Sequence, residues 1–211
     1  MHDDADTDID AGAATVNVAL EVACTEAEGP GRRYALWVQG CPLRCKGCCN
    51  PEFLVDTPRT HRHVREIVAD MRRARDERGI EGISLLGGEP TRQAVALADV
   101  AVAARELGLS VMVFSGFTKA QLVAEDAPGV ARLLAHTDLL VDGPYIEAQR
   151  TTSRRYIGSD NQVLHHLTDR YRIDDPRFAA PNTVELRIVV DVDGAQRFEL
   201  NGWPVRGAST R

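Results

Sequence analysis

Hydrophobic positions alternate with other residues twice near the start of the chain. Val16, Val18 and Leu20 form the first period-two run and Tyr34, Leu36 and Val38 the second, and each predicts a strand. The period then changes. Within 60–78, Val64, Ile67, Val68 and Met71 recur at helical spacing, arginines fill the opposite face, and Gly79 is placed to cap the C-terminus. Residues 80–86 read as a buried strand that Gly87-Gly88-Glu89-Pro90 breaks, and Thr91 can cap a helix running to about Leu107 with Gly108 ending it. The pattern repeats with a strand over 109–114, helical pieces over 118–124 and 130–136 split by Pro128-Gly129, and a strand over 138–141. Strands alternating with helices predict a parallel sheet with right-handed crossovers. Runs at 184–192 and 195–200 flank Asp193-Gly194, a hairpin signal that breaks the alternation. The expectation is an α/β chain forming an incomplete (β/α) barrel with a C-terminal β-hairpin at about 184–200.

Composition sharpens the boundaries. Residues 1–14 carry aspartates at 3, 4, 6, 8 and 10 with only small or polar companions apart from Met1 and Ile9, so they read as a disordered acidic tail. With 44% hydrophobic residues in 211, residues 15–211 suit a single domain with a substantial core. The net charge of −6 argues against a nucleic-acid or anionic-membrane surface, because binding phosphates needs a concentrated positive field. Protein and small-molecule partners fit better. No apolar run approaches the ~20 residues of a membrane span, and Met1-His2-Asp3-Asp4 lacks the basic and apolar regions of a signal peptide. A cytoplasmic location is expected.

Four of the five cysteines crowd into 41–49, where disulfides would be strained and a reducing compartment favours metal binding. Cys41, Cys45 and Cys48 have C-x3-C-x2-C spacing and offer three thiolates from one tight loop. A cubane iron-sulfur cluster held by three protein ligands keeps one iron free. The cysteine loop, Gly87 to Pro90, Ser115-Gly116 and Asp142-Gly143-Pro144 all follow predicted strands, and ligands of parallel α/β sheets bind beyond the carboxyl ends of strands. Four motifs are therefore expected to face one cavity. Gly87 and Gly88 let backbone approach a ligand, Pro90 fixes the turn and Glu89 supplies a carboxylate. Ser115 and Asp142 suit hydrogen bonds to a polar ligand, or equally a turn and a cap. Cys24 reads as a small core residue and Cys49 as a packing or spare thiol. His61 and His63 could join the cysteines in a Cys3His zinc site, or simply start a solvated helix. His165-His166 reads as a partly exposed loop. Arginines 62, 65, 72, 73, 75 and 78, interleaved with Glu66, Asp70, Asp76 and Glu77, form an ordinary charged helix face.

An ordered series of segments goes further. Gly29-Pro30-Gly31-Arg32, Leu36-Trp37-Val38-Gln39-Gly40-Cys41, Cys45-Lys46-Gly47-Cys48-Cys49-Asn50-Pro51-Glu52, Gly87-Gly88-Glu89-Pro90, Val113-Phe114-Ser115-Gly116-Phe117-Thr118, Val141-Asp142-Gly143-Pro144-Tyr145 and Asn161-Gln162 span about 27–165. Together they resemble the radical S-adenosylmethionine (SAM) superfamily and, within it, the activating proteins of anaerobic ribonucleoside-triphosphate reductase, which are glycyl-radical enzyme activases. The resemblance implies a radical SAM type of barrel, a [4Fe-4S] cluster on Cys41, Cys45 and Cys48, and SAM chelating the fourth iron. It implies that Gly87 to Pro90 meet the methionine amino group, that Arg32 shapes the entrance, and that Asn161 and Gln162 lie near the cavity mouth. An electron from the reduced cluster would break a carbon-sulfur bond of SAM, and the resulting 5′-deoxyadenosyl radical would take hydrogen from a glycine of a larger glycyl-radical enzyme subunit. A reductant such as flavodoxin or ferredoxin would supply the electron. Two departures stand out: Cys49 replaces the aromatic residue or histidine that usually follows the third cysteine, and Ile157-Gly158-Ser159-Asp160 replaces a more basic, serine-rich stretch. Other readings are a radical SAM enzyme that modifies a peptide or another protein, and a zinc-stabilised binding module.

Overall fold

The structure, a computed structural model, describes residues 14–190 and 194–202. Residues 1–13 of the expected acidic tail and the hairpin turn at Asp193 lie outside the described residues, whereas Ala14 O accepts from Val64 N at 3.0 Å. Nine strands and four α-helices follow the order β1 Thr15–Thr25, β2 Arg33–Val38, β3 Thr60–His63, α1 Val64–Arg78, β4 Gly82–Gly87, α2 Ala94–Glu106, β5 Ser110–Phe114, α3 Lys119–Glu125, α4 Val130–Ala135, β6 Leu139–Asp142, β7 Val163–His166, β8 Val184–Val190 and β9 Gln196–Gly202 among the described residues.

Seven strands form one mixed sheet in the order β3-β1-β2-β4-β5-β6-β7, and β8 pairs only with β9. The middle of that sheet is parallel, from β2 through β4 and β5 to β6, whereas β1, β3 and β7 run antiparallel to their neighbours. β3 and β7 are its edges, so among the described residues the sheet is open and no closed barrel forms.

Alternation sorts the two faces of the sheet. Tyr34, Leu36, Ile83, Leu85, Val111, Val113 and Leu140 join the cluster that packs on α1, α2, α3 and α4. α1 supplies Val64, Ile67, Met71 and Ala74 to it, close to the apolar stripe expected from sequence. Met112, Leu139 and Val141 point to the other face, where residues from the segment after β6, Tyr156, Ile157, Tyr171 and Phe178, cover them. Toward the start of the strands this inner face is polar. Arg33 is fully buried there, donating to Ser84 Oγ at 2.7 Å, Ser110 Oγ at 2.9 Å, Pro30 O at 3.1 Å and the Ile83 carbonyl, while Tyr171 Oη lies 2.7 Å from Ser110 Oγ. Burial lowers the Arg33 pKa, yet the guanidinium keeps its charge because its donors are matched by carbonyl and hydroxyl oxygens. This cluster closes the floor beneath the inner face.

Several sequence expectations shift. Residues 60–63 are an edge strand, so His61 lies in β3 and His63 is the N-cap of α1, rather than the two opening a helix at 60. Pairing with β1 decides this, since a four-residue Thr-His-Arg-His run carries no periodic signal of its own. Residues 90–93 are a 3-10 turn and Gln93 is the N-cap of α2, because Thr91 instead serves the Glu89 carboxylate. His165 and His166 lie in β7, not in a loop. Arg32 is exposed beside Glu81, whose carboxylate accepts from Arg32 N at 3.1 Å; it precedes β2 and so sits at the opposite end of that strand from the cysteine loop.

The junction of β2 with β4 sets the geometry of everything beyond the strand ends. Gly88 N donates to Val38 O at 2.8 Å and Glu89 N to Gly40 O at 2.8 Å. Gly87 has φ +109°, and a Cβ there would lie 2.5 Å from Val38 N; a Cβ on Gly88 would fall well inside contact distance of the Gly40 carbonyl. The close approach these glycines allow is thus of one chain segment to another. Gly88→Ala is expected to cost about 1–3 kcal/mol, because the obstructing atoms are backbone and have no rotamer to yield; urea denaturation measures it, and an unchanged midpoint would contradict the assigned contact.

Candidate functional site

The carboxyl ends of β2, β4, β5 and β6 open into one cavity of about 280 Å³. Cys41, Cys45 and Cys48 line it, with Gly87, Gly88, Glu89 and Ser115. Of the sequence-predicted site residues, Pro90 and Asp142 stand outside the lining, as do Arg32 and Asn161. Pro90 is buried as the first residue of the 3-10 turn.

Local backbone conformation shapes the cysteine loop. Arg44 at φ 48° and Gly47 at φ 74° are left-handed, and Cys48 N donates to Cys45 O at 3.2 Å, which coils 41–48 tightly. Residues 51–55 brace it from behind: Gly40 N donates to Phe53 O at 2.9 Å, Cys41 N to Leu54 O at 3.2 Å, and Gln39 Nε2 to Val55 O at 2.6 Å. All five cysteines are free thiols. Burial pushes the Cys41 thiol up, whereas a hydrogen bond from Cys49 draws Cys48 down to about 7 and leaves Cys49 well above its ordinary value. Three soft donors on one coiled loop are of the kind that iron-sulfur clusters take as ligands. Among the described residues no three His, Cys, Asp or Glu side chains converge as they must around one metal ion. In a cubane each thiolate takes a separate iron, whereas a Cys3His zinc site gathers four donors on one ion.

Glu89 is the best-connected acid of the cavity. Its Oε1 accepts from Thr91 Oγ1 at 2.7 Å, Ser115 Oγ at 2.9 Å and Thr91 N at 3.1 Å, and its Oε2 from Gly116 N at 2.8 Å. The residue is 1% exposed, and burial raises its pKa against the opposing pull of those donors. Glu89 therefore fastens the end of β5 to the end of β4, and Ser115 is one of its donors. Asp142 stands outside the lining and meets the start of a helix. Its carboxylate accepts from Lys119 N at 2.5 Å, in the first turn of α3, and lies 3.0 Å from His165 Nε2 on β7. Gln162 and Asn161 act on backbone: Gln162 Oε1 accepts from Gly158 N at 2.9 Å, Gln162 Nε2 donates to Gly143 O at 2.9 Å, and Asn161 Nδ2 donates to Pro144 O at 2.7 Å. They hold together the loops after β6 that complete the cavity wall.

Three lining residues had no sequence signal. Tyr156, a bulky residue at φ 62°, is pinned by Tyr156 N donating to Asn182 Oδ1 at 2.6 Å. Glu28 and Asn201 arrive from the ends of the chain, because β9 is brought onto the loop between β1 and β2 by a hydrogen bond from Gly202 N to Glu28 Oε1 at 2.7 Å. Neither has neighbours in sequence that betray that pairing. Burial, with Glu185 nearby, raises the Glu28 pKa to about 7. The folded chain therefore binds a proton that the unfolded chain has already released, and stability is lost as pH rises from about 4.5 to about 7. Glu28→Gln keeps the acceptor for Gly202 and removes the titration. In cluster-free protein its stability relative to wild type is expected to improve by on the order of 1 kcal/mol between pH 5 and pH 8; urea midpoints at the two pH values give the difference, and a parallel pH dependence for both proteins would contradict the assignment.

Comparison with known proteins agrees with this site. The 4Fe-4S single cluster domain family matches residues 27–165. The anaerobic ribonucleoside-triphosphate reductase-activating protein of Vibrio cholerae serotype O1 is 34% identical over 148 residues, covering 66% of this chain and 91% of that protein. The protein of the same name from Escherichia coli K12 is 31% identical over 147 residues, again 66% of this chain and 91% of the relative. That of Enterobacteria phage T4 is 28% identical over 159 residues, 69% of this chain and 91% of the phage protein. By the extent of both matches, the chain belongs to the family of anaerobic ribonucleoside-triphosphate reductase-activating proteins, activating enzymes built on a 4Fe-4S single cluster domain.

Proposed function

We propose that this protein activates an anaerobic ribonucleotide reductase by cleaving SAM reductively and generating a glycyl radical on the reductase. One observation carries the reading: three free thiols on a coiled loop share a single cavity with the Glu89 turn, beyond the carboxyl ends of parallel strands. The relatives' name supplies the partner. The arrangement also fits a radical SAM sheet that leaves its barrel incomplete, and a cytoplasmic setting with flavodoxin or ferredoxin as electron source. No helix among the described residues is long and apolar enough to cross a membrane.

In this reading Cys41, Cys45 and Cys48 hold the cluster as thiolates. Bound there, the reduced cluster and SAM would together supply one-electron reductive chemistry able to take a hydrogen atom from the partner's glycine. The chain's own residues position and shield. Gly87 and Gly88 bring the β4 turn against the root of the cysteine loop, and Glu89 offers the remaining acceptor capacity of Oε2 to an amino N–H donor. Trp37, Leu86, Phe114 and Tyr156 make the adjoining walls apolar, which keeps water from a reactive intermediate. Asp142, held by Lys119 N and beside His165, positions the β6 loop.

Anaerobic reconstitution with the reductase, a reductant and SAM is expected to give a glycyl doublet in electron paramagnetic resonance, with 5′-deoxyadenosine formed. Intact cluster and SAM cleavage without that doublet would overturn the target and favour another peptide or protein substrate. Cys45→Ala is expected to lose bound iron and sulfide and to abolish SAM cleavage. A variant that binds stoichiometric zinc, like a wild type that does so without cleaving SAM, would overturn the cluster assignment.

A further inference from the structure

The β8–β9 hairpin is inside out. An antiparallel pair ordinarily buries its apolar face and leaves its polar face to water. Here the polar face docks on the body: Glu185 accepts from Thr25 Oγ1 and from Glu26 N, both at 2.6 Å, and Asn201, opposite Glu185 in the register, is 3% exposed. The apolar face is left outside. Leu186, Ile188 and Val190 are about 60% exposed (61%, 60% and 60%) and Phe198 is 58% exposed. A two-stranded hairpin is marginal alone, so leaving its hydrophobic side unburied forgoes the interaction that would most stabilise it.

Register shows where that face leads. Leu200 pairs with Leu186 and Phe198 with Ile188, so these four side chains lie on one side of the hairpin. Leu200 also lines the cavity that holds the cysteines. From Leu200 the apolar strip runs outward through Phe198 and Ile188 to Val190, about 13 Å along the strands. It is a continuation of the cavity wall onto the surface. Glu28 fixes it there through Gly202 N. The hairpin also lies beyond residues 27–165, the part matched by the 4Fe-4S single cluster domain family.

We propose that this strip is the docking surface for the polypeptide whose glycine enters the cavity: an extended, apolar segment of the reductase lies along Leu186, Ile188 and Phe198 and is guided over Leu200 to the site. The proposal rests on the function proposed above. Its occupant follows from continuity, because a backbone reaching the cavity from this side must cross the strip, and from chemistry, because a strip without charged side chains selects an uncharged segment. A second copy of this chain is the competing occupant.

The test combines Ile188→Glu and Phe198→Glu in one variant and uses Val123→Glu, at an exposed apolar position on α3, as the matched control. None of these residues lines the cavity. Iron content and SAM cleavage by the variant without reductase, driven by a chemical reductant, are expected to equal wild type. Its Kd for the anaerobic reductase, measured by surface plasmon resonance, is expected to rise about tenfold or more, while the control binds like wild type. Equal reductase affinity of variant and wild type would overturn the proposal. So would a wild-type dimer that the variant alone dissolves into monomers in sedimentation velocity. A wild type that cleaves SAM but neither binds nor activates the reductase removes the proposed function, and the docking proposal with it; a wild type that binds and activates, beside a variant that binds equally well, removes the docking proposal alone.

Discussion

The backbone clamp between the root of the cysteine loop and the end of β4 is the constraint on which the site depends. Two hydrogen bonds, Gly88 N to Val38 O and Glu89 N to Gly40 O, extend the parallel pairing of β2 with β4 past the sheet and into the loops. That extension is possible only without side chains at 87 and 88. Because the clamp fixes Glu89 N, it also fixes the Glu89 carboxylate, and this in turn holds Ser115 and Gly116. One local steric requirement thus registers three strand ends against each other. The cysteines inherit their position from it, since Cys41 follows Gly40 directly.

The inner face of the sheet is graded along its length. Near the strand starts a buried arginine, two serines and a tyrosine satisfy one another; near the strand ends Trp37, Leu86 and Phe114 present apolar surface to the cavity. The two ends solve different problems. A buried cation without a carboxylate partner persists only where every donor finds an oxygen, which demands a rigid, closed floor. The open end tolerates no such network, because a cavity that admits a ligand must keep its polar groups few and aimed. Residues 143–182 serve both, placing Tyr171 on the floor and Tyr156 and Ile157 at the cavity.

Sequence made the strand-loop logic legible because it rests on local signals. Glycines, prolines and cysteines at fixed spacing mark turns whatever surrounds them, and so the loops after β2, β4 and β5 were readable as neighbours. Asp142 was not. A carboxylate after a strand looks the same whether it meets a ligand or the first turn of the next helix, and only the placement of Lys119 N decides. β3 and β7 were invisible for a related reason: four residues each, rich in histidine, they are strands because β1 and β6 offer free edges. Arg33 and Arg32 show the limit most sharply. They are adjacent, and the sign of the strand's alternation at that point puts one in the core and the other in water.

Glu89 joins structural duty to chemical duty. Three donors crowd Oε1, and among the described residues only Gly116 N reaches Oε2, so the carboxylate's unused acceptor capacity is concentrated on one oxygen. Burial opposes its charge and raises its pKa, while the four donors resist that rise. A cation arriving at Oε2 adds a further favourable interaction that neutral ligands lack. In the proposed function the amino group of SAM is the donor that meets Oε2, and its binding and the ionisation of Glu89 reinforce each other by linkage. The same bonds that lock β4 to β5 therefore also leave one buried carboxylate oxygen open to a further donor, and a substitution at Glu89 cannot separate the two effects unless, like Gln, it preserves the shape while removing the charge.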